Sequence, residues 1–513
     1  LVDILLIFEV HQPYRLRRDF FWGKRAFRRL RKGELFDYYF DREADREIFE
    51  RASSKCYLPA NQILLDLIDE HKSEKRCVEV SFSISGVFLE QCERFGKDVL
   101  ESFRQLARTG KVEFLSQTYY HSLSSLYPNM EDFAEQVEEH RRALLELFGY
   151  RPKVFENTEL IYNNGIARSV EDLGFDAICT EGAERILGSN SPNELYQAKG
   201  CKELKVLLRN YRLTDDIGFR FSARWWSEWP LTAEKYVNWL ASTPGRYVCI
   251  FPDYETFGEH HWPETGIHEF LRALPREILK RENLRMATPS EVMAEDETVG
   301  TLDVPEPQTI SWADVERTTG SWVGNVMQWA YFTSVRDMEK LVKESGDAEL
   351  VRLWRCFQIS DHLYYMFTAG GGPGAVHSYF SPYSNPVDAF IASQSTILDF
   401  EERVRMRTFA ANEPFKFHKE EGEGGYTSIM ACSLTGFYDV LSKAPMESIR
   451  FHSAKGDFEA WVRHSLLDAD LADKIGELRG SGLDDEKLRS ELRRIIHRNL
   501  SSRSARLKEL GYI

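Results

Sequence analysis

Short runs of Val, Ile, Leu and Phe recur up to about residue 303, separated by longer stretches whose apolar positions repeat every three or four residues. Seven such runs stand out: VDILLIFEV from Val2, CVEVSFSIS from Cys77, VEFLSQ from Val112, VFENTEL from Val154, FDAICTEG from Phe175, KVLLRN from Lys205 and RYVCIFPD from Arg246. Brief, nearly continuous apolar runs are the pattern of strands buried on both faces, and the spacers carry the helical period. VLESFRQLARTG, from Val99 to Gly110, reads as a helix with Asp98 as N-cap and a glycine stop; Glu131 to Gly149 reads as another. Strand, helix, strand at this regularity predicts an α/β architecture, an incomplete TIM-like (β/α)7 barrel over residues 1–303. An eighth run, NLRMATPSEV from Asn283, is weaker and reads as a strand end entering a helix.

Beyond residue 303 the pattern changes. TLDVPEPQTISW is a Pro-bearing connection, and residues 304–410 are mostly helical in period, a domain expected to pack over the barrel mouth. Within it TAGGGPGAVHSYFSPYSNP, from Thr368, is a connector or a rim loop beside a site. Residues 411–513 read as a small C-terminal helical domain, with HKEEGEGG from His418 as a solvated turn and a charged helix from Asp484. The opening LVDILLIFEV carries Asp3 and Glu9, which favours a strand over a leader, and no uncharged apolar run reaches the roughly 18 residues of a membrane span.

Charge and cysteine usage narrow the function. A net charge of -15 argues against nucleic acid as a partner, and the basic stretch from Tyr14 to Glu34 reads as a solvated face. Eight cysteines without a C-x-x-C pair fit reduced, buried thiols in a cytoplasmic protein, not a disulfide frame or a zinc site. Aromatic residues at 13% serve the core or form platforms for sugar rings, the second needing carboxylates nearby.

Such carboxylates follow the strands. The first run ends in His11 and Gln12, the second leads to Glu90, the third to Gln117, Tyr120 and His121, the fourth to Glu156 and Glu159, the seventh to Asp253 and Glu255. Glu159 and Asp253 adjoin apolar residues, where an unpaired carboxylate costs several kcal/mol, so each is either ion-paired or functional. Two carboxylates from different strand ends suit glycoside hydrolysis: one attacks the sugar, the other holds a proton that close like charge keeps on it near neutrality. In FPDYETFGEHHW, from Phe251, the residues His260, His261 and Trp262 either line a sugar subsite, with Trp262 or Trp226 stacking on a ring, or form a packed loop.

VHQPYR, VFENTELIYNN, FPDYETFGEH and RMATPSEV resemble the ordered signature regions of glycoside hydrolase family 57, and QTYYHSLSSLY resembles the second region of its intracellular alpha-amylase branch. The likeness continues through ISDHLYYMF and HSYFSPYSNP. It implies a seven-stranded barrel followed by helices, acting on alpha-glucans with retention of configuration. By motif position it implies Glu159 as nucleophile, Asp253 as general acid and base, and His11, Gln12, Glu255 and Asp361 as residues holding the sugar at the cleavage point. Glu90, Tyr120, His121, His260 and Trp262 complete the expected substrate contacts. Gln117 and Glu156 depart from the family pattern, which often has Glu and a basic residue there. The expected function is a retaining alpha-amylase-like hydrolase, with a 4-alpha-glucanotransferase or branching enzyme as the alternative. A metal-dependent hydrolase or deacetylase built on His11, His121, Asp253, His260 and His261, and a non-catalytic glucan-binding protein, are the other readings. No cofactor and no metal are expected, and oligomeric state is not legible.

Overall fold

The computed structural model describes the chain apart from residues 24–29, 75, 296, 344, 346, 370–380, 407–410, 412, 467 and 510–513. The core of the expected loop from Thr368 and part of the basic stretch from Tyr14 therefore lie outside the described residues. The strands in order are β1 (Val2–Val10), β2 (Val80–Ile84), β3 (Val112–Leu115), β4 (Val154–Glu156), β5 (Ala177–Glu181), β6 (Tyr196–Ala198), β7 (Lys205–Arg209) and β8 (Tyr247–Ile250). All but β6 coincide with the seven apolar runs.

These strands pair in parallel, β1 with β2 and β8, β2 with β3, β4 with β5, β5 with β7. Two thinner joints complete the ring. Arg209 faces Cys249 between β7 and β8, and Ser116 bridges Phe155 between β3 and β4, its N–H donating to the Val154 carbonyl at 3.0 Å. Among the described residues seven strands thus close an incomplete (β/α)7 barrel. β6 pairs antiparallel with the start of β7, at Lys205 and Val206, β9 (Leu284–Met286) pairs with β1 ahead of the helix Pro289–Glu295, and β10 (Gly300–Leu302) pairs with β6.

Alternation along the strands sorts the chemistry. Ile4, Leu6, Phe8 and Val10 of β1 join the outer core against the helices, together with Phe82, Phe114 and Ile250. The residues between them face inward, where Leu5, Ile7, Leu115, Val154, Cys179, Leu207 and Cys249 form an apolar plug. One step further toward the C-terminal ends the inward positions become Glu9, Ser83, Gln117, Glu156, Glu181 and Arg209, all buried. Hydrophobic burial holds the barrel shut, and the polar layer above it faces the end where such barrels place their sites.

The helix expected from Val99 runs from Lys97 to Arg108 after Gly96 as N-cap, so Asp98 is not the cap but sits in the first turn, accepting from the Val99 N–H at 3.0 Å. Glu131–Phe148 ends as expected, at Gly149 with φ 66°. Of the cysteines, Cys432 is exposed, unlike the buried thiols expected, while Cys56, Cys92, Cys179, Cys249 and Cys356 are buried.

The chain divides into two compact units that interleave in sequence: Leu1–Arg18, Asp41–Arg336 and Arg355–Ile391 form one; Asp19–Phe40, Asp337–Trp354 and Ala392–Ile513 form the other. The boundaries expected at 303 and 410 do not coincide with these units. The C-terminal region is not wholly helical, because Phe415 and Phe417 alternate with polar residues and start a hairpin, β11 (Phe415–His418) with β12 (Tyr426–Ala431), around a core of Phe437, Ile449, Phe458 and Leu492. The turn expected at HKEEGEGG joins its strands. No helix among the described residues is long and apolar enough to cross a membrane.

The loop after β8 is docked by a glycine. Gly258 has φ +138°, and a Cβ there would sit 1.9 Å from the Lys55 carbonyl, so only a hydrogen allows the approach. Gly258→Ala should cost more than about 3 kcal/mol of stability, read as a fall in denaturation midpoint; an unchanged midpoint would show that the loop is free to shift.

Candidate active site

Beyond β4 the chain turns sharply, with Glu159 at φ 61° and Leu160 at φ 51°. Two successive non-glycine residues in the left-handed region are strained, and the turn aims the Glu159 side chain into the barrel mouth. There its carboxylate is saturated by donors. The Ser360 hydroxyl donates to Oε1 at 2.7 Å, the Trp312 indole N–H to Oε2 at 2.7 Å, and the His121 Nε2 lies 3.5 Å from Oε1. The Ser311 hydroxyl donates to the Glu159 carbonyl at 2.6 Å, fixing the turn itself.

Glu159 lines a cleft with an empty volume of about 680 Å³, together with Glu9, His11, Gln12, His121, Asp253, Glu255, His260, Trp312 and Asp361. His11 stacks on His121, with ring centroids 4.0 Å apart. The His11 Nε2 meets Asp361 Oδ2 at 3.1 Å and its Nδ1 the Ser85 hydroxyl at 2.7 Å. Ser85 also accepts from the Phe88 N–H as a helix cap, so its proton is available to His11 Nδ1 and the ring's own proton sits on Nε2. Gln12 donates to the Tyr57 hydroxyl at 3.1 Å, which in turn donates to Glu255.

Burial sets these ionisations apart. For Glu159 it works upward, but the hydrogen bond and charge of His121 and the Ser360 hydroxyl outweigh it, leaving the carboxyl below its ordinary value. Burial alone would lower His121, yet Glu159 and Glu9 raise it to about 9. His11 is pushed down to about 4 by burial and by the neighbouring His121 charge. Glu255 is pushed up to about 8 by burial and by Asp253. Arg209, buried beside Glu181 and Asp215, also feels the charge of Asp253.

Not every expected residue reaches the cleft. Tyr120 is buried, its hydroxyl turned to Glu139 at 3.2 Å, and Glu90 accepts from Tyr14 at 2.8 Å and Tyr119 at 3.2 Å; neither is among the residues lining the cleft. His261 is locked by Ser222 and by the carbonyls of Ile217 and Gly218. Of the five residues considered for a metal, His261 therefore does not join His11, His121, Asp253 and His260 in the cleft. Trp226 packs on Trp239. Trp262, 49% exposed with the Lys55 ammonium 3.9 Å over its ring, lines a second, outer cavity of about 1390 Å³ that shares Arg15, Ile48, Arg51 and Glu259 with the cleft. A third, of about 420 Å³, opens from Asp253, His260 and Trp312 toward Phe219.

Sequence reading missed Trp312 and Ser360. Both come from the region after the barrel, where TISW and the ISD of ISDHLYYMF were the available signals. Gln117 and Glu156, the two departures from the family pattern, meet in one buried network: Gln117 donates to Ser83 at 2.7 Å and Ser83 to Glu156 at 2.9 Å.

The model of Glycosyl hydrolase family 57 matches residues 5–305. A Methanocaldococcus jannaschii protein named "Putative alpha-amylase" is 47% identical over 406 residues, 78% of this chain and 84% of that one. The crystal structure of a GH57-type branching enzyme from Pyrococcus horikoshii superposes with a TM-score of 0.55 at 16% identity, over 79% of this chain and 90% of that one. The alpha-amylase AmyC of Thermotoga maritima gives a TM-score of 0.51 at 12% identity, over 80% and 94%. The chain belongs to glycosyl hydrolase family 57 and is an enzyme acting on glycosidic bonds.

The shifted groups predict how stability depends on pH. A proton held more tightly in the folded chain stabilises it below the unfolded pKa, and that gain is lost as pH rises through the folded value. For His121 the window runs from 6.5 to about 9, and for Glu156 and Glu255 from 4.5 to about 8. Glu159 acts oppositely, losing its contribution as pH falls through its lowered value. The melting temperature should decline between pH 6.5 and 9, and less steeply in Glu255→Gln; parallel declines in the two proteins would contradict the assignment.

Proposed function

We propose that the protein cleaves internal bonds of alpha-glucans by double displacement, with Glu159 as nucleophile and Asp253 as general acid and base. The observation that carries this reading is the ionised, donor-saturated Glu159 in the same cleft as Asp253. A carboxylate kept deprotonated in a buried site is suited to attack an anomeric carbon. As its C–O bond forms, the glycosidic C–O bond breaks and the leaving oxygen takes the Asp253 proton. Asp253, now a carboxylate, removes a proton from water, which displaces Glu159 and restores both groups with net retention.

The remaining cleft residues fit sugar binding. His11 and Asp361 form one polar wall, Gln12 and Glu255 another, and each presents donors or acceptors to a pyranose ring. Internal cleavage is favoured because the cleft shares lining with two further cavities, through Arg51 and Glu259 with the one at Trp262 and through Asp253 and Trp312 with the one at Phe219. A glucan chain seated across these cavities would extend on either side of the bond. The names alpha-amylase and branching enzyme borne by relatives agree with an alpha-glucan substrate. The same continuity supports glucan transfer as the second reading, since a sugar hydroxyl seated beyond the cut can replace water.

Incubation with maltoheptaose, with products resolved by size, tests the reading. Shorter products mean hydrolysis, and longer ones as well mean transfer. Glu159→Gln should lower turnover on the order of 10⁴-fold or more. Asp253→Asn should lose roughly 10²- to 10⁴-fold. Products formed undiminished by either variant would remove the assignment.

A further inference from the structure

Behind the proposed nucleophile lies a buried polar network in which every proton can be placed. Ser83 has one hydroxyl proton and gives it to Glu156 Oε2 at 2.9 Å. It can then only accept from Gln117 Nε2, which lies 2.7 Å away. The same Gln117 nitrogen donates to Glu9 Oε1 at 2.9 Å. Both amide hydrogens are thus committed, and the Gln117 carbonyl oxygen is left facing His121 Nδ1 at 2.8 Å. An oxygen there cannot donate, so Nδ1 must carry a proton. On the far side of the ring, Glu159 Oε1 lies 3.5 Å from Nε2 and is itself only an acceptor. A lone pair on Nε2 would face a carboxylate, so this nitrogen must be protonated too.

We propose that Gln117 is a positioning residue for the nucleophile: locked by Ser83 and Glu9, its carbonyl fixes a proton on His121 Nδ1, so that the proton Nε2 shares with Glu159 makes the ring an imidazolium, and that cation holds Glu159 as the carboxylate the reaction needs. This rests on Glu159 being the nucleophile. The charged groups facing His121 are Glu9 from β1, Glu159 from the turn after β4 and Asp361 from the helical segment, with His11 stacked on the ring. Neutral His11 keeps a second positive charge away. Burial raises the proton affinity of both Glu9 and Glu156, and a proton held by this pair limits the negative charge behind the imidazole. The raised affinity of His121 for its proton and the lowered one of Glu159 agree with this arrangement.

Two measurements test it. In protein labelled with ¹⁵N-histidine at pH 7.5, one imidazole should show both nitrogens in the imidazolium range, and that signal should vanish in His121→Gln; a neutral His121 would overturn the proposal. Second, the acid limb of kcat/KM should move up by about one pH unit in Gln117→Leu, equivalent to about tenfold lower kcat/KM on the acid side. Limbs that superimpose in wild type and Gln117→Leu, whatever the loss in kcat, would leave Gln117 a purely structural role and contradict the proposal. Should Gln117→Leu not fold, the histidine spectrum of the wild type decides. Glu159→Gln is the control for the parent reading: retained activity there removes the nucleophile while the charge of His121 is still read from its nitrogens.

Discussion

Keeping one carboxylate ionised where water is nearly excluded is the constraint around which this molecule is arranged. An unpaired buried charge costs several kcal/mol, and Glu159 answers that cost with hydrogen bonds from Ser360 and Trp312 and the opposite charge of His121. None of these partners lies near it in sequence. Trp312 follows the barrel, Ser360 stands at the start of the short helix Ser360–Tyr364, and His121 follows β3. The chain therefore has to continue past its own barrel and return to the mouth before the site is complete, and the segment Arg355–Ile391 accordingly belongs to the same compact unit as the strands. The strained turn at Glu159 and Leu160 follows from the same demand, since conformations of this kind persist only where the surroundings over-determine them.

Around Asp253 the environment is of another kind. Glu255 has burial and a neighbouring carboxylate raising its proton affinity, whereas Glu159 has cationic and neutral donors lowering it. One cleft thus holds two acidic neighbourhoods of opposite character, Glu159 kept ionised and Glu255 kept protonated beside the charge of Asp253. Arg209, which feels the charge of Asp253, belongs to a buried cluster with Glu181, Asp215 and Arg317, joined to Glu181 and Asp215 at 2.8 Å each.

The barrel was legible because its strands are buried on both faces, so that each becomes a continuous apolar run; β6 (YQA) and β10 (GTL) are not apolar runs, and β10 is exposed at two of its three positions. The carboxylates were legible for the complementary reason, standing where such runs end. Side-chain direction was not. Tyr120 and His121 are adjacent, but the turn at His121, with φ 48°, sends one into the cleft and leaves the other against Glu139. Trp312 and Ser360 were marked only by TISW and ISD, since an indole and a hydroxyl acquire their role when the fold brings them to a carboxylate some 150 to 200 residues away in sequence. Gln117 and Glu156 looked like isolated departures from a family pattern; in three dimensions Ser83 joins them.

Trapping the covalent intermediate tests the central claim most directly. A fluorinated glucosyl fluoride that forms the glycosyl-enzyme but hydrolyses slowly, followed by proteolysis and mass spectrometry, should place the sugar on the peptide containing Glu159, with no adduct in Glu159→Gln. A sugar attached to a different residue, or products formed with inversion and no adduct at any time, would contradict the account.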